Sequence, residues 1–340
     1  MMLRSHTTPS LLPPDSGHRH GAVEPRRPGT LSTLKRLLQA VRQGRAGARP
    51  PSLREVASAF IGCARHVHAF SGWFDNPDNV ALEEVLRRRP SLVCCVRQAY
   101  LNREWNGARR ATAIEQHYWL LSRHFDFLHL APGQSIALAS LGDGRSIRLD
   151  AAARRFEREG ELSLSLRHGN LRIWSLTFNF GQEEMRKTAY VGGLHGPDGE
   201  DGRGRPWNRG PDGSRSRDLL ICAFRKLCDT LGVDRIRAVS DKARVGHRAW
   251  RPKRAMSYDA AWLKNGGAPD ACGFFALDSG SGRRSRGAVP SRRRVEYRRR
   301  RQFIDAMGRQ IDDSIRRTRS ARMRDTASGA DADGFIASSV

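Results

Sequence analysis

The chain has 340 residues, enough for one large core or two modest ones, and 39% of them are hydrophobic, which excludes a wholly disordered or fibrous protein. It carries 60 Lys and Arg against 35 Asp and Glu, a net charge of +25, and a field of that sign draws phosphates, anionic lipid surfaces or acidic polymers. No apolar run is long enough to cross a bilayer and the opening residues have no continuous apolar stretch of the kind an exported chain carries, so the cytoplasm is the expected compartment, with the periphery of an inner membrane as the other.

In chain order, residues 1–28 are rich in Pro, Gly, Ser and His and read as a disordered tail. Residues 29–130 read as a helical region. PSLREVASAFIGCARH predicts a helix entered at Pro51, with Leu53, Val56, Ala57, Phe60, Ile61 and Ala64 on its buried face. DNVALEEVLRRRP starts at an Asx cap and stops at Pro90, and ARRATAIEQHYWLLSRHF places Ile114, Tyr118 and Leu121 on a buried stripe.

Residues 131–280 read as a mixed α/β sheet domain. QSIALAS, SIRL, ELSLSLR and LRIWSLTFNF run apolar or alternate over strand lengths, with DGR and HGN as hairpin turns, and predict an antiparallel meander. KTAYVGGLHGP is a further strand, followed by a Gly-, Arg- and Pro-rich loop to about Ser214, the helix SRDLLICAFRKLCDTLGV and the strand DRIRAVSD. Residues 187–241 therefore form a β-loop-α-β unit whose strands are parallel or splayed. SYDAAWLKNGG supplies a short helix and CGFFALD the last strand. Residues 281–325 form a basic C-terminal helix with Ile304, Met307, Ile311 and Ile315 on one face, and 326–340 a disordered tail. The predicted class is α+β: a helical N-terminal region packed on a mixed, mostly antiparallel sheet, closed by a basic C-terminal helix.

The six cysteines, Cys63, Cys94, Cys95, Cys222, Cys228 and Cys272, show no repeated C-x-x-C frame and read as reduced, buried thiols. His117 and His124 share a helix face, but no acid or thiol completes a ligand set around them, so no metal is expected.

Taken in order, IEQHYWLL, EGELSLSLR, YVGGLHGP, AVSD, SYDAAW, NGG, GFFAL and RRVEYRRR resemble the bacterial VirK/YbjX-like family over roughly residues 60–320. Its defining domain is one of unknown function. The resemblance implies a cytoplasmic protein connected with envelope stress, virulence or resistance to cationic peptides, and implies no reaction. His195 stands where the family usually has Gln before the glycine of its central motif, and the loop DGEDGRGRPWNRGPDGSRS departs from the family's more regular segment.

The order of elements is also similar to that of the acyl-CoA N-acyltransferase core. That likeness implies acyl-CoA as the ligand, lying between splayed strands at 187–194 and 235–240, with its phosphates at the N-terminus of the helix starting near Ser216 and Arg215 and Arg217 adding charge-assisted contacts. Amine acylation needs a base for the ammonium proton, dipoles on the thioester carbonyl and an acid for the thiolate. The likeness puts Trp262, which cannot serve, where an acid Tyr often sits. Tyr258 lies one turn earlier on the same face and is the candidate acid; the alternative is a core Tyr with its hydroxyl tied to backbone. Asp259 reads as a base or as a first-turn carboxylate, and Glu161 as a base at a strand end or an exposed turn residue. Gly192, Gly193 and Gly196 suggest a bulge or a close backbone approach by a ligand, and His195 between them a donor or proton shuttle, against a plain turn histidine at the sheet edge.

The segment GRRSRGAVPSRRRVEYRRRR, residues 282–301, could grip nucleic acid or an anionic membrane surface, or form the solvated face of the terminal helix; it has no aromatic interleaving suitable for base stacking. Only six of the 60 basic residues are lysines, so a chain-wide drift toward Arg competes with any ligand as the source of the charge. Two functions are thus expected: an acyl-CoA-dependent transferase or a ligand-binding relative that has lost turnover, and, in its place, a non-catalytic basic adaptor.

Overall fold

The computed structural model describes residues 30–44, 52–70, 73–74, 79–196, 209, 213–246, 256–278 and 294–336. The expected N-terminal tail, most of the loop at 198–214 and residues 282–293 of the basic segment lie outside them.

Five helices lead: α1 (Thr30–Gly44), α2 (Leu53–Ala64), α3 (Val80–Arg88), α4 (Cys94–Arg97) and α5 (Gly107–His124). Pro90 has no N–H to donate, and α3 ends just before it, giving way to a 3-10 turn over Pro90–Val93. Asn106 caps α5, its side chain accepting from the Arg109 N–H. Two apolar rows compete on α2. Val56, Ala59 and Cys63 face the core, while Leu53, at 82% exposure, and Ile61, at 55%, face out with Ala57. This corrects the expected buried face: spacing alone does not say which row meets the neighbouring helices.

The sheet has eight strands: β1 (Ser135–Ser140), β2 (Arg145–Ala151), β3 (Leu162–His168), β4 (Leu171–Glu183), β5 (Arg186–His195), β6 (Arg235–Val239), β7 (Ala268–Pro269) and β8 (Phe274–Leu277), in the order β1-β2-β3-β4-β5-β6-β8-β7. Every neighbouring pair is antiparallel except β5 and β6. That one parallel pair follows from the intervening helix α6 (Ser216–Thr230), which carries the chain back along the sheet. The short helix α7 (Tyr258–Lys264) links β6 to β7. Glu184 and Met185 make the β4–β5 turn with φ of 48° and 64°, the left-handed pair that a two-residue hairpin needs.

α6 packs on β3 and β4, where Phe224 meets Phe178 edge-on at 4.8 Å. α5 takes the edge of β4 that β3 leaves open beyond Phe178. There the Phe180 N–H donates to His117 Nδ1 at 3.1 Å and the Gln182 N–H to Gln116 Oε1 at 3.2 Å. α8 (Arg294–Ile336) packs against β1 and α6 through Met307, Ile311 and Ile315, with Ile304 half-buried. It also closes the outer edge of β1: Gln310 accepts from the Ser140 N–H and donates to the Ser140 carbonyl, and the Ser314 hydroxyl donates to the Ala137 carbonyl at 2.6 Å. The helix continues beyond the Thr326 boundary drawn from composition.

No disulfide joins the six cysteines, and they are not uniformly buried as expected: Cys63, Cys95 and Cys228 are buried, Cys94 and Cys222 half-buried, and Cys272 exposed. Among the described residues no helix is long and apolar enough to cross a membrane.

Candidate functional site

The parallel β5–β6 ladder runs from Thr188↔Arg235 to Val191↔Ala238 and stops there, while β5 continues to His195. β4 stays paired with that extension as far as Ser175↔His195, with one irregularity: Thr177 and Phe178 face Gly193 and Val191, leaving Gly192 as the extra residue of a bulge. Glycine is required here by crowding. A Cβ on Gly192 would lie 2.2 Å from the Glu159 carbonyl oxygen, and one on Gly193 would lie 2.1 Å from Glu159 Oε2 and 2.4 Å from Thr177 Oγ1. The close approach is made by this chain's own segment 156–161. Gly196 instead packs against the Trp174 indole.

Past the end of the ladder, a side chain stands where β6 would have been. The buried Tyr258 hydroxyl, from the first turn of α7, accepts from the Leu194 N–H at 2.9 Å. Burial pushes the Tyr258 phenol well above its ordinary range, and the nearby Glu159 carboxylate adds to that, so it holds its proton. Arg244 lies over its ring at 4.8 Å. His195, at the end of β5, pairs through Nε2 with Glu159 Oε2, and the Phe156 ring stacks on the imidazole at 3.9 Å between centroids. The hydroxyls of Ser175 and Thr177 on the adjoining stretch of β4 are buried without hydrogen-bond partners. Leu101 reinforces the spot from the N-terminal region: it adopts φ 55°, its N–H donates to the Arg158 carbonyl at 2.8 Å, and its side chain packs over Gly192.

The other expected residues divide. Asp259 accepts from the Asp241 N–H at 2.7 Å, and Asp241 in turn takes the Ser257 hydroxyl at 2.7 Å, so Asp259 ties the start of α7 to the turn after β6. Glu161 is not the exposed turn residue expected from its place before β3; it is buried. Arg89 grips it with two nitrogens at 2.9 and 3.0 Å, and the phenols of Tyr118 and Tyr100 donate to it at 2.6 and 2.8 Å. Burial alone would raise its carboxyl, but Arg89 and the two phenols hold it below the usual range. Glu161 therefore works as the buried counter-ion joining the helical region to the sheet, turned away from proton transfer by its own partners.

At the start of α6, Ser216 is buried, Arg215 exposed and Arg217 half-buried beside Asp218. The buried Arg145 reaches Ser216 Oγ at 3.5 Å. Asp218, paired with Lys264, already offers a negative charge to this helix end. An anion there would rely on the arginines and on the first backbone N–H groups. Among the described residues no cluster of His, Cys, Asp or Glu is placed to hold a metal ion.

A family described as "Protein of unknown function (DUF535)" matches residues 54–313. The chain belongs to the DUF535 family. The matched span runs from α2 into α8 and takes in every strand and every residue of the cluster around Gly192. The chain is also 25% identical over 243 residues to "Uncharacterized protein YbjX" of Escherichia coli (strain K12), a match covering 68% of this chain and 74% of that protein. No solved structure matches it.

In this DUF535 chain the structure gathers Tyr258, His195, Gly192 and Gly193 at one place, with Arg215, Ser216 and Arg217 on the helix that follows β5, and leaves Glu161 in the core. Sequence reasoning missed Glu159 and Leu101. Nothing local marks either: Glu159 sits in a run of alternating charge, AAARRFEREGE, and its importance comes from contact with a strand more than thirty residues later.

Proposed function

We propose that the protein is an acyltransferase that moves an acyl group from acyl-CoA to an amine, acting in the envelope-stress setting that the VirK/YbjX resemblance implies. The observation that carries the reading is the early end of the β5–β6 ladder, with β5 running on to His195 and the Leu194 N–H held by a phenol instead of a strand. The strand order around it supports the likeness to an acyl-CoA N-acyltransferase core: a meander, a parallel pair bracketing α6, then a last strand inserted beside β6.

Acyl-CoA would supply the activated acyl group as a thioester. Arg215, Arg217 and the N-terminus of α6 would hold its phosphates, with Gly192 and Gly193 shaping the backbone beside it. The His195–Glu159 pair takes the proton released when the amine nitrogen bonds to the acyl carbon, and Tyr258 gives its proton to the sulfur as the carbon–sulfur bond breaks. Asp259 keeps α7, and so Tyr258, in place. Titration calorimetry with acetyl-CoA and longer acyl-CoAs tests the reading first; absence of heat at millimolar ligand removes it. Release of free CoA thiol in the presence of amines tests turnover.

One observation favours a second reading, a basic adaptor for nucleic acid or an anionic membrane surface: Arg298, Arg299, Arg300 and Arg301 are all exposed on α8. It requires affinity that falls steeply with salt and is lost when these four are replaced. A flat salt response excludes it.

A further inference from the structure

A cleft of about 660 Å³ opens in the helical region between α2, α4 and the start of α5, and shares no residue with the cluster around Tyr258. Its charged lining is of one sign. Arg54 and Arg65 come from α2 and its end, Arg97 from α4 and Arg110 from α5, and no Asp or Glu lines it among the described residues. Four guanidinium groups kept together without an acid repel one another in the free protein, a cost that a bound anion relieves.

The side chains are also seated. Gly62 and Gly107 leave the room they use: a Cβ on Gly62 would lie 2.4 Å from Arg97 Cδ, and one on Gly107 would lie 2.3 Å from the His66 imidazole. The His66 ring is thereby laid on the first residue of α5, where backbone N–H groups carry the positive end of an 18-residue helix. Arg110 is fixed by donating to the carbonyls of Val96, Arg97 and Arg103, each at 3.3 Å, while its buried Nε has no partner. Beside this charge lies the outward apolar row of α2, in which Ala57 and Ile61 line the same cleft. Among the described residues that row covers no core. An exposed apolar strip next to clustered arginines suits a ligand with an anionic head and an apolar body.

We propose that this cleft is a binding site for a phosphate ester, with the phosphate between Arg65, Arg97 and His66 and an apolar portion along Ile61 and Ala57. Two sources share this chemistry, a lipid with a phosphate headgroup and a soluble phosphate compound. Titration calorimetry on the full chain with dihexanoyl phosphatidic acid, below its micelle concentration, and with inorganic pyrophosphate distinguishes them. At least one probe is expected to bind saturably. The double variant Arg65→Ser/Arg97→Ser, which alters two exposed side chains, should weaken that binding about tenfold or more. The control pair Arg309→Ser/Arg317→Ser, two exposed arginines of α8 with an equal charge change, should leave it within about twofold. If Ile61→Ser weakens phosphatidic acid but not pyrophosphate, the source is a lipid; if pyrophosphate binds as well as the lipid and Ile61→Ser changes neither, it is a soluble phosphate. Failure of both probes to saturate, or equal weakening by the α8 pair, overturns the proposal, and neither result bears on acyl-CoA binding at β5.

Discussion

Single residues here carry opposite duties with similar chemistry. Tyr258 and Tyr118 are both buried phenols, yet Tyr118 is spent on Glu161 while Tyr258 holds the Leu194 N–H, with Arg244 against its ring and a histidine–carboxylate pair beside it. Tyr258→Phe is expected to lower acyl transfer by about 10²-fold and stability by about 1–3 kcal/mol for the orphaned Leu194 N–H; unchanged thiol release would leave Tyr258 as packing alone. Removing Arg89 while keeping Glu161 strands a buried carboxylate, so Arg89→Met should cost about 3–5 kcal/mol in urea unfolding. His117 sets the acid limit. Burial holds its imidazole neutral down to about 3, against 6.5 for an ordinary histidine, so below pH 6.5 the unfolded chain binds a proton that the folded chain refuses. Stability should therefore fall as pH drops, by about 2 kcal/mol at pH 5 from this group. Glu161, whose carboxyl is depressed, adds a second loss only below the ordinary carboxylate range. Urea midpoints at pH 7 and 5 should lie closer together in His117→Asn, which keeps an acceptor for the Phe180 N–H, with the half-buried His129, its imidazole also held down by burial, supplying a remaining slope; a level wild-type profile would contradict the buried neutral imidazole.

Elements show why part of the architecture could be read in advance. Ile311→Ala on α8 should cost about 2–5 kcal/mol in thermal or urea unfolding, since its side chain is fully buried against the sheet. That face was legible because Ile304, Met307, Ile311 and Ile315 recur at three- and four-residue spacing in a helix rich in charge. The meander was legible for the same reason: strands such as SIRL and ELSLSLR alternate or run apolar between recognisable turns. The α2 face was not, because Leu53, Ala57 and Ile61 match the helical period as well as Val56, Ala59 and Cys63 do. Glu161 was misread because a strand-end acid looks exposed until Arg89, 72 residues earlier, is folded against it. The glycine pair announced an irregular strand; that Glu159 fills the space above it is a tertiary fact.

The whole molecule carries +25 charges and should repel itself. Raising NaCl from about 0.05 to about 0.5 M should therefore raise the thermal midpoint at neutral pH, by screening long-range repulsion more than it weakens exposed ion pairs such as Arg316–Asp313. A falling midpoint would mean that local pairs outweigh the global field. At this scale the last helix has a role beyond its charge. α8 follows every strand in the chain, and its Gln310 and Ser314 are what occupy the free backbone of β1. During synthesis, then, the finished sheet must wait with that strand bare and ready to recruit a second copy. A chain cut short before Arg294 should emerge as mixed assemblies on size exclusion, whereas the intact chain buries its own sticky margin as the final act of folding.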